Sequence, residues 1–425
     1  MSASRKRAHT GGSTSAEDRL SALPDDLLHS IMSFLKARQV VQTCVLAKRW
    51  RHLWRSVPYL DIDLLEFYRH INDPTAIQAW YEKFVDLADY LLFHRHLDRA
   101  VLDTFRLHIS ATANTARHAD AARWVRRGLK CSPRAFHFQN HHSDGYEPEI
   151  PLEFRSGPPS SCRLTKLHLL GLTLNSCFAE QISSVCVALE ELELKTCEIR
   201  FQKVTSPSLK NLIIHCCRVP PSRRAPLNQL IITAPQLAFL HLKLEATYVF
   251  VLSVNEMLSL VKASIHNEIY YPDHVLQHNQ CNLLSSLSNV TSLELLGFHR
   301  RLVPDEEPVE FLTFKNLTTL LLDDCELGDK FQVLRHFLQN SPNLERLVVK
   351  CCQFSKGSKR GKGKARSKTI SQFQDVVHFS CWKLKYAEII YEHSDDIGPL
   401  VSVLLEVLDR LPKNTIRLTK VETTV

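Results

Sequence analysis

Histidine and cysteine are the side chains best suited to binding metal ions or acting as nucleophiles, and the chain holds 21 histidines and 13 cysteines. The most closely spaced are His94-x-His96, His141-His142, Cys216-Cys217 and Cys351-Cys352. Zinc sites usually contain cysteines separated by two to four residues, but the sequence has no Cys-x-x-Cys. Adjacent cysteines on a strand point to opposite faces, so neither pair is expected to bind one ion. The sequence therefore predicts no metal site and no cofactor.

Residues with catalytic spacing are also missing from the sequence. There is no Gly-x-Ser-x-Gly nucleophile motif, and the glycines in residues 357–363 lack the spacing of a phosphate-binding loop. The acidic pairs Asp323-Asp324 and Asp395-Asp396 are more typical of solvated turns than of general acid–base pairs. We therefore predict no catalytic residue and a protein that is not itself an enzyme.

The formal net charge of +8 is concentrated in one segment. Residues 356–368 contain seven Lys or Arg and no acid, which leaves the rest of the chain close to neutral. This basic loop could be a solvated insertion, a nuclear-import or nucleic-acid patch, or a contact for acidic target residues. It lacks the aromatic side chains that stack on bases, which disfavours nucleic acid as a partner. Together with the shorter cluster Arg5-Lys6-Arg7, it indicates a cytoplasmic or nuclear location.

The first 17 residues are mostly small, polar and basic, a composition that predicts disorder and is unlike a secretory signal. The cysteines are therefore expected to be reduced thiols. No run of 18 apolar residues occurs in the sequence, so no membrane partner is predicted.

The elements that must position any functional group begin with a small helical module over residues 18–63. Pro24 followed by Asp25 and Asp26 is a helix start signal, because acidic side chains favour the first turn. Three helical stretches follow, with apolar residues Leu27, Leu28, Ile31, Met32 and Leu35 in the first, Val40, Val41, Val45 and Leu46 in the second, and Trp50, Leu53 and Trp54 in the third. So short a module cannot bury this much apolar surface, which must meet the rest of the chain or another protein.

This module resembles the F-box of the plant F-box proteins that carry leucine-rich repeats. The resemblance is close over the first 63 residues and loose beyond them, and the matching residues are Leu23-Pro24, Ile31, Phe34-Leu35, Val45-Leu46, Lys48-Arg49-Trp50, Leu53-Trp54 and Val57-Pro58. One departure is Lys36-Ala37, which replaces a Pro-Thr that often follows the first helix. This departure changes a turn but leaves the apolar face intact.

The resemblance implies that the module docks on the Skp-type adaptor of a cullin–RING ubiquitin ligase. The residues expected to bind the adaptor are buried partly in the module's own core and partly against that protein: Leu23, Pro24, Leu27, Leu28, Ile31, Leu35, Leu46, Trp50 and Leu53. A helical linker is expected over residues 64–100, with apolar residues at helical spacing from Ala76 to Arg95.

Beyond residue 100 the pattern Leu-x-x-Leu-x-Leu recurs, which predicts a leucine-rich-repeat solenoid over residues 101–372. Copies begin at Leu164, Leu189, Leu209, Leu237, Leu260, Val290, Leu317, Leu344 and Leu384, with worn copies near residues 105–109 and 134–138. Most starts are 20 to 30 residues apart, but the last interval is 40. The predicted fold class is therefore α/β: a three-helix module, then an irregular solenoid with a parallel concave sheet.

Each repeat predicts a short strand with one apolar face, because its last leucines alternate with other residues. The alternate residues should face the concave side, and those expected to bind a target are Glu191, Glu193, Lys195, Asn211, His241, Lys243, Glu294 and Thr319. Four cysteines lie three residues after the last strand leucine, isoleucine or valine of their repeats: Cys197, Cys217, Cys325 and Cys352. A small buried residue fits this turn, so these thiols have a structural explanation.

The C-terminal stretch, residues 373–425, is expected to close the solenoid, because the last repeat would otherwise expose its apolar side. A strand over Trp382-x-Leu384-x-Tyr386, an amphipathic helix from Ile397 to Leu411 and an edge strand from Thr415 to Val421 are predicted there.

These observations favour a substrate-receptor subunit, with an unidentified target protein held by the solenoid and an adaptor and cullin ligase recruited by the module. Two alternatives remain. The chain could be an interaction scaffold whose module only caps the solenoid or binds another partner, or a nucleic-acid-associated solenoid that uses the basic loop.

Overall fold

The computed structural model describes residues 19–20, 22–68, 74–97, 101–110, 115–141, 147–154, 162–220, 229–245, 251–255, 259–268, 284, 286–298, 313–327, 331–352, 383–392, 397–408 and 415–421. The predicted disordered segment 1–17 and the basic loop 356–368 lie outside these residues.

The N-terminal module contains helices α1 (Asp25–Met32) and α2 (Ala37–Gln42). Its remaining helical turns are short 3-10 helices: Thr43–Val45, Lys48–Arg51 and Leu53–Arg55. The third predicted helical stretch is therefore present as two 3-10 turns rather than as one α-helix. Trp50 and Leu53 are both buried, and a 3-10 turn brings residues three apart onto one side. His52, with φ −121° and ψ −4°, separates the two turns.

A single parallel sheet of 13 strands runs through the described chain, in the order β1-β2-β3-β4-β6-β9-β11-β13-β14-β15-β16-β17-β18. Its strands are β1 (Tyr59–Asp63), β2 (Thr104–Ile109), β3 (Ala135–Asn140), β4 (Lys166–Leu170), β6 (Glu191–Lys195), β9 (Asn211–His215), β11 (Phe239–Glu245), β13 (Lys262–Glu268), β14 (Ser292–Leu296), β15 (Thr319–Asp323), β16 (Arg346–Lys350), β17 (Tyr386–Tyr391) and β18 (Thr415–Lys420). The predicted parallel repeat solenoid is confirmed. The two degenerate copies of the repeat, near residues 105–109 and 134–138, form the strands β2 and β3.

Smaller sheets flank this ladder. The pair β5 (Thr173–Leu174) and β7 (Glu198–Ile199) is parallel, as is the trio β8 (Lys203–Thr205), β10 (Gln229–Thr233) and β12 (Val251–Asn255). The larger helices outside the module are α4 (Pro74–Leu97), α5 (Thr115–Lys130), α6 (Ser176–Ser184), α7 (Gln332–Asn340) and α8 (Ile397–Leu408), and a short α3 spans Leu65–Tyr68. The C-terminal helix thus begins where predicted, at Ile397.

The strand register stacks the apolar residues of the repeats into two buried rows. One row runs Leu107, Phe138, Leu169, Leu194, Ile214, Leu242, Ile265, Leu295, Leu322, Val349 and Ile389 along neighbouring strands. Each of these side chains is at most 2% exposed. No repeat could bury its leucines alone, so the core exists only because neighbouring repeats stack.

The first strand belongs to the module and to the large sheet at once. β1 pairs in parallel with β2, so that Leu60 lies beside Phe105 and Ile62 beside Leu107. Both module residues are buried in the same core. Residue 63 is therefore not a structural boundary, and the module begins the sheet.

The predicted helical linker is part of the core rather than a spacer. In α4, Phe84, Ala88, Leu91 and Leu92 are almost completely buried. The Asp89 carboxylate accepts hydrogen bonds from three residues of α5, at 2.9–3.1 Å from Arg123, 3.0 Å from Trp124 and 2.8 Å from Arg127. The apolar stripe read from the sequence thus packs α4 against its own chain.

A left-handed residue follows the strand in six repeats: Gly171, Thr196, Cys216, Gly297, Asp324 and Cys351 have φ between 45° and 72°. The chain turns there, and the next residue enters the core. Cys216-Cys217 and Cys351-Cys352 therefore lie in turns after the strands, and the prediction that they occupy opposite strand faces is wrong.

Three of the cysteines after these turns, Cys197, Cys217 and Cys325, are buried as predicted, and Cys352 is partly buried against the core. The Sγ of Cys197, Cys217, Cys325 and Cys352 lies 3.3–3.5 Å from a backbone oxygen of the preceding repeat, at Leu169, Leu194, Leu295 and Leu322 respectively. Burial raises the pKa of Cys217, which keeps this thiol protonated and able to donate.

At the C-terminal end, β17 begins at Tyr386, whereas the sequence predicted a strand that begins at residue 382. Residue 382 itself lies outside the described residues. Leu384 is nevertheless buried, as a repeat leucine that precedes its strand should be. The predicted edge strand is confirmed, because β18 pairs in parallel with β17 and ends the sheet.

The left-handed exit can be tested with two glycines. A Cβ at Gly297 (φ 71°) would lie 2.5 Å from the Asn267 backbone oxygen, so Gly297→Ala should lower the free energy of unfolding by about 2 to 4 kcal/mol. Gly398 has nothing within 4 Å of its Cβ position and lies in a helix, so Gly398→Ala should be neutral or stabilise by about 0.5 to 1 kcal/mol. Denaturant unfolding of both variants measures this difference, and equal effects would contradict the proposed packing.

Candidate functional site: an apolar module face and an open sheet face

Apolar side chains are exposed on the N-terminal module. Leu27 and Ile31 lie four residues apart on α1, and Phe34 follows one turn later with 88% of its surface exposed. Val45, 82% exposed, and Leu46 are exposed in and just after the first 3-10 helix. Among the described residues, six of the sixteen large apolar side chains that are exposed fall within residues 20–46. The module therefore offers apolar surface that its own chain leaves uncovered.

The nine residues predicted to bind an adaptor divide into three groups. Pro24, Leu27, Ile31 and Leu46 are exposed, and Leu23 and Leu35 are partly buried against the core. Leu28, Trp50 and Leu53 are buried in the chain's own core. The last three cannot present a contact surface in this arrangement, so their assignment is corrected to holding the module together.

Two further residues of the module, Phe34 and Val45, are exposed and do not belong to the predicted set. Phe34 and Val45 belong to the matching F-box residues, and Phe34 lies seven residues after Leu27, which is the helical spacing of the exposed side of α1. This spacing in the sequence is enough to place Phe34 on the exposed side of the helix. It separates outward residues from Leu28 and Met32, which point inward at the same helix.

Polar contacts join the module to the sheet behind this face. Lys36 Nζ lies 3.1 Å from Asp61 Oδ2 and 3.2 Å from Asp63 Oδ2, both on β1. Burial lowers the pKa of Lys36, but the Asp61 carboxylate and then Asp63 outweigh it, so the net pKa is raised and the ammonium stays charged. The residue that departs from the usual Pro thus ties the turn after α1 to the first strand.

A buried arginine completes this junction. Arg95, near the end of α4, is 2% exposed and donates to the backbone oxygens of Val57 and, at 2.7 Å, Trp54. These carbonyls lie in the last 3-10 turn of the module and just after it, before β1 begins. A buried guanidinium is costly unless it is hydrogen-bonded, so these bonds fix α4 against the module.

The other candidate surface is the face of the large sheet opposite the core, called here the open face. The strands show alternating burial, with leucines inside and partly exposed residues between them. All eight residues predicted to bind a target lie on it, each partly exposed: Glu191, Glu193, Lys195, Asn211, His241, Lys243, Glu294 and Thr319. Target binding by these residues stays a prediction.

Histidines cluster on the open face. The rings of His137 and His168 meet edge to face at 4.3 Å, and those of His215 and His241 lie 5.8 Å apart. His168 lies between two carboxylates, with Nε2 2.7 Å from Glu191 and Nδ1 3.0 Å from Glu193. Most of these histidines occupy alternate strand positions of repeats that the sequence predicts. Which histidines of neighbouring strands lie side by side depends on the pairing register, and the sequence does not give that register.

In the described part of the chain, no group of three or more His, Cys, Asp or Glu side chains is arranged to hold a metal ion. None of the described helices has the length and apolar character needed to cross a membrane.

Comparison with known proteins identifies both regions. Residues 20–61 match the F-box domain, and residues 154–396 match the leucine-rich-repeat domain of the At1g61320/AtMIF1 type. The chain is 33% identical over 418 residues to the MEIOTIC F-BOX protein MOF of Oryza sativa subsp. japonica, covering 93% of this chain and 84% of that protein. It is also 26% identical over 379 residues to the Arabidopsis thaliana F-box/FBD/LRR-repeat protein At1g78750, covering 82% and 80% of the two chains.

The open face predicts a pH dependence of stability. The pKa of His137 is lowered to about 4, chiefly by burial and then by His168 and Arg106, against the opposing effect of Glu191 and Glu193. Between about pH 6.5 and pH 4 the unfolded chain therefore binds a proton that the folded chain does not, so stability falls as the pH falls through this window. Partial exposure limits the effect of this residue to roughly 1 to 2 kcal/mol.

Substitution isolates this contribution. His137→Gln should lose less stability than the unsubstituted chain between about pH 7 and pH 4.5, measured by denaturant unfolding at each pH. The exposed His52→Gln serves as the control and should keep the original slope. Identical slopes for His137→Gln and the unsubstituted chain would refute the assignment.

Proposed function

The chain belongs to the plant F-box proteins with leucine-rich repeats, and from this membership we propose that it is the target-binding subunit of a cullin–RING ubiquitin ligase. The F-box would bind a Skp-type adaptor, and the repeats would bind a target protein. The observation that carries the proposal is the exposed apolar face of the F-box, which the described residues of its own chain leave uncovered.

The adaptor contact is proposed to centre on Leu27, Ile31, Phe34, Val45 and Leu46. Interfaces gain most of their energy from a few large apolar side chains that become fully buried, and Phe34 and Val45 have the most surface left to bury. The exposed cations Lys48, Arg49 and Arg51 provide a charged border. Arg49 also pairs with Asp25 at the start of α1, which holds the border against the helix.

Ubiquitin transfer in this proposal is catalysed by other subunits of the ligase. The repeat solenoid contributes proximity, because a bound target lysine near activated ubiquitin reacts as if at a high effective concentration. The open face is the proposed target surface, since its strand positions are partly exposed and rich in charged residues. Such positions can vary without disturbing the leucine core.

Paired substitutions of equal chemistry test the adaptor contact. Phe34→Ser with Val45→Ser should reduce capture of a purified Skp-type adaptor by more than about tenfold, since each residue buries surface worth roughly 1.5 to 3 kcal/mol. Both side chains are exposed, so the melting temperature should change little.

The control variant replaces two exposed valines of the repeats, Val187→Ser with Val261→Ser. Their side chains are 44% and 51% exposed in the unsubstituted chain. This variant should retain full capture. Undiminished capture by the Phe34 and Val45 variant, or equal loss in both variants, would show that the F-box face is not the adaptor site.

A further inference from the structure

Four side chains that carry or can accept positive charge form one row on the open face. Lys195, His215, Lys243 and His266 are register partners on the neighbouring strands β6, β9, β11 and β13. We propose that this basic row binds an extended acidic segment of the target protein. The inference rests on the proposed function, because it names the chemistry of the target that the repeats would hold.

The dimensions of the basic row suit a peptide that crosses the strands. Neighbouring strands lie about 4.8 Å apart, so the three intervals from Lys195 to His266 span about 14 Å. An extended peptide advances about 3.3 Å per residue, so about four residues cover that distance. Successive side chains of an extended peptide point to opposite sides, so about two of these residues would face the row. A run of consecutive acidic residues ensures that the residues facing the row are acidic.

Apolar residues end the row on both sides. Leu170 is the register partner of Lys195 on β4, and Leu296 is the partner of His266 on β14. Both are partly exposed on the open face. The five intervals between them span about 24 Å, or about seven extended residues. The preferred segment therefore has an acidic centre and apolar residues on either side.

The charges around His215 are consistent with an anion site. Burial lowers the pKa of His215, and four neighbouring basic groups lower it further, namely Lys243, His241, Lys195 and His266. Neighbouring basic groups repel one another when they are charged, and together they create a positive potential that attracts an anion. Two carboxylates border the row: Glu193 pairs with Lys195, and Glu294 lies 2.7 Å from Lys262. An incoming carboxylate or phosphate would share Lys195 with Glu193.

These flanking glutamates favour a short protein segment over nucleic acid. A nucleic-acid strand needs cations that follow its phosphates over many nucleotides. The basic row covers only about 14 Å and is bordered by Glu193 and Glu294, which would repel a continuous phosphate backbone. Carboxylate and phosphoryl groups are both anionic hydrogen-bond acceptors. The anionic groups of the target segment could therefore come from aspartate and glutamate or from phosphoserine and phosphothreonine.

The test uses labelled peptides and the full chain. The probe Leu-Ser-Glu-Glu-Glu-Glu-Ser-Leu places its leucines about 23 Å apart when extended. Fluorescence anisotropy should show binding of this probe and at least about tenfold weaker binding of the version with four glutamines. A third probe with phosphoserines in place of the glutamates identifies the source: tighter binding indicates phosphorylated targets, and equal or weaker binding indicates acidic residues. A single-stranded oligothymidylate completes the set.

Charge-matched variants locate the binding. Lys195→Gln with Lys243→Gln should weaken probe binding by about tenfold or more, and the corresponding double arginine variant should retain it. Lys350→Gln with Lys385→Gln removes the same charge outside the row, where the lysines pair with Asp323 and Glu345, and should change affinity less than about twofold.

Binding should also strengthen as the pH falls from about 8 to about 6, because an anion in the basic row stabilises the protonated form of the His215 imidazole. The charged and titratable groups around His215 are Lys195 on β6, His241 and Lys243 on β11, and His266 on β13. Glu193 pairs with Lys195, and Glu294 and Lys262 lie near His241. His215→Gln should reduce this pH dependence.

Failure of both acidic probes to bind, equal losses in the two glutamine double variants, or tighter binding of the oligothymidylate would overturn the inference. Adaptor capture should be unchanged in Lys195→Gln with Lys243→Gln. A chain that captures the adaptor but ignores the acidic probes would refute the basic row and leave the proposed function standing.

Discussion

The structure depends on the parallel pairing of β1 with β2. β1 is the end of the F-box, yet Leu60 and Ile62 stack on Phe105 and Leu107 and so begin the apolar rows of the repeats. Turning the F-box away from the repeats would break this ladder and expose those rows to water. Lys36 and Arg95 strengthen the same junction, one by pairing with β1 and the other by donating to the carbonyls that precede it.

A rigid junction gives the sheet a functional geometry. Every strand is parallel and adjacent to the next, so position along the sheet is measured from the F-box by counting strands. The basic row occupies the fifth to eighth strands, about 20 to 35 Å along the sheet from β1. A target held there would keep a fixed distance from an adaptor bound to the F-box. A flexible linker would instead spread that distance over many values and lower the effective concentration of the target lysine.

The repeat leucines and the position of the four cysteines could be predicted from the sequence, because a period of two within each strand and a longer period between repeats leave few alternatives. The sequence did not show that Leu28 is buried while Leu27 is exposed. Both are leucines on one helix, and their burial differs only because one side of the helix faces the core. It also did not reveal the row that joins Lys195 to His266. That row crosses four strands, and unequal loops between repeats hide which residues share a register. The left-handed turns at Thr196 and Cys216 were missed because neither residue is a glycine.

Native-state hydrogen exchange of the backbone amides of β1 tests most directly whether the F-box and the repeats form one body. If they do, the amides of Leu60 and Ile62 will exchange as slowly as those of Phe105 and Leu107, because the same unfolding event must expose all four. Fast exchange in β1 while β2 and β3 stay protected would show that the F-box opens independently and would contradict the account.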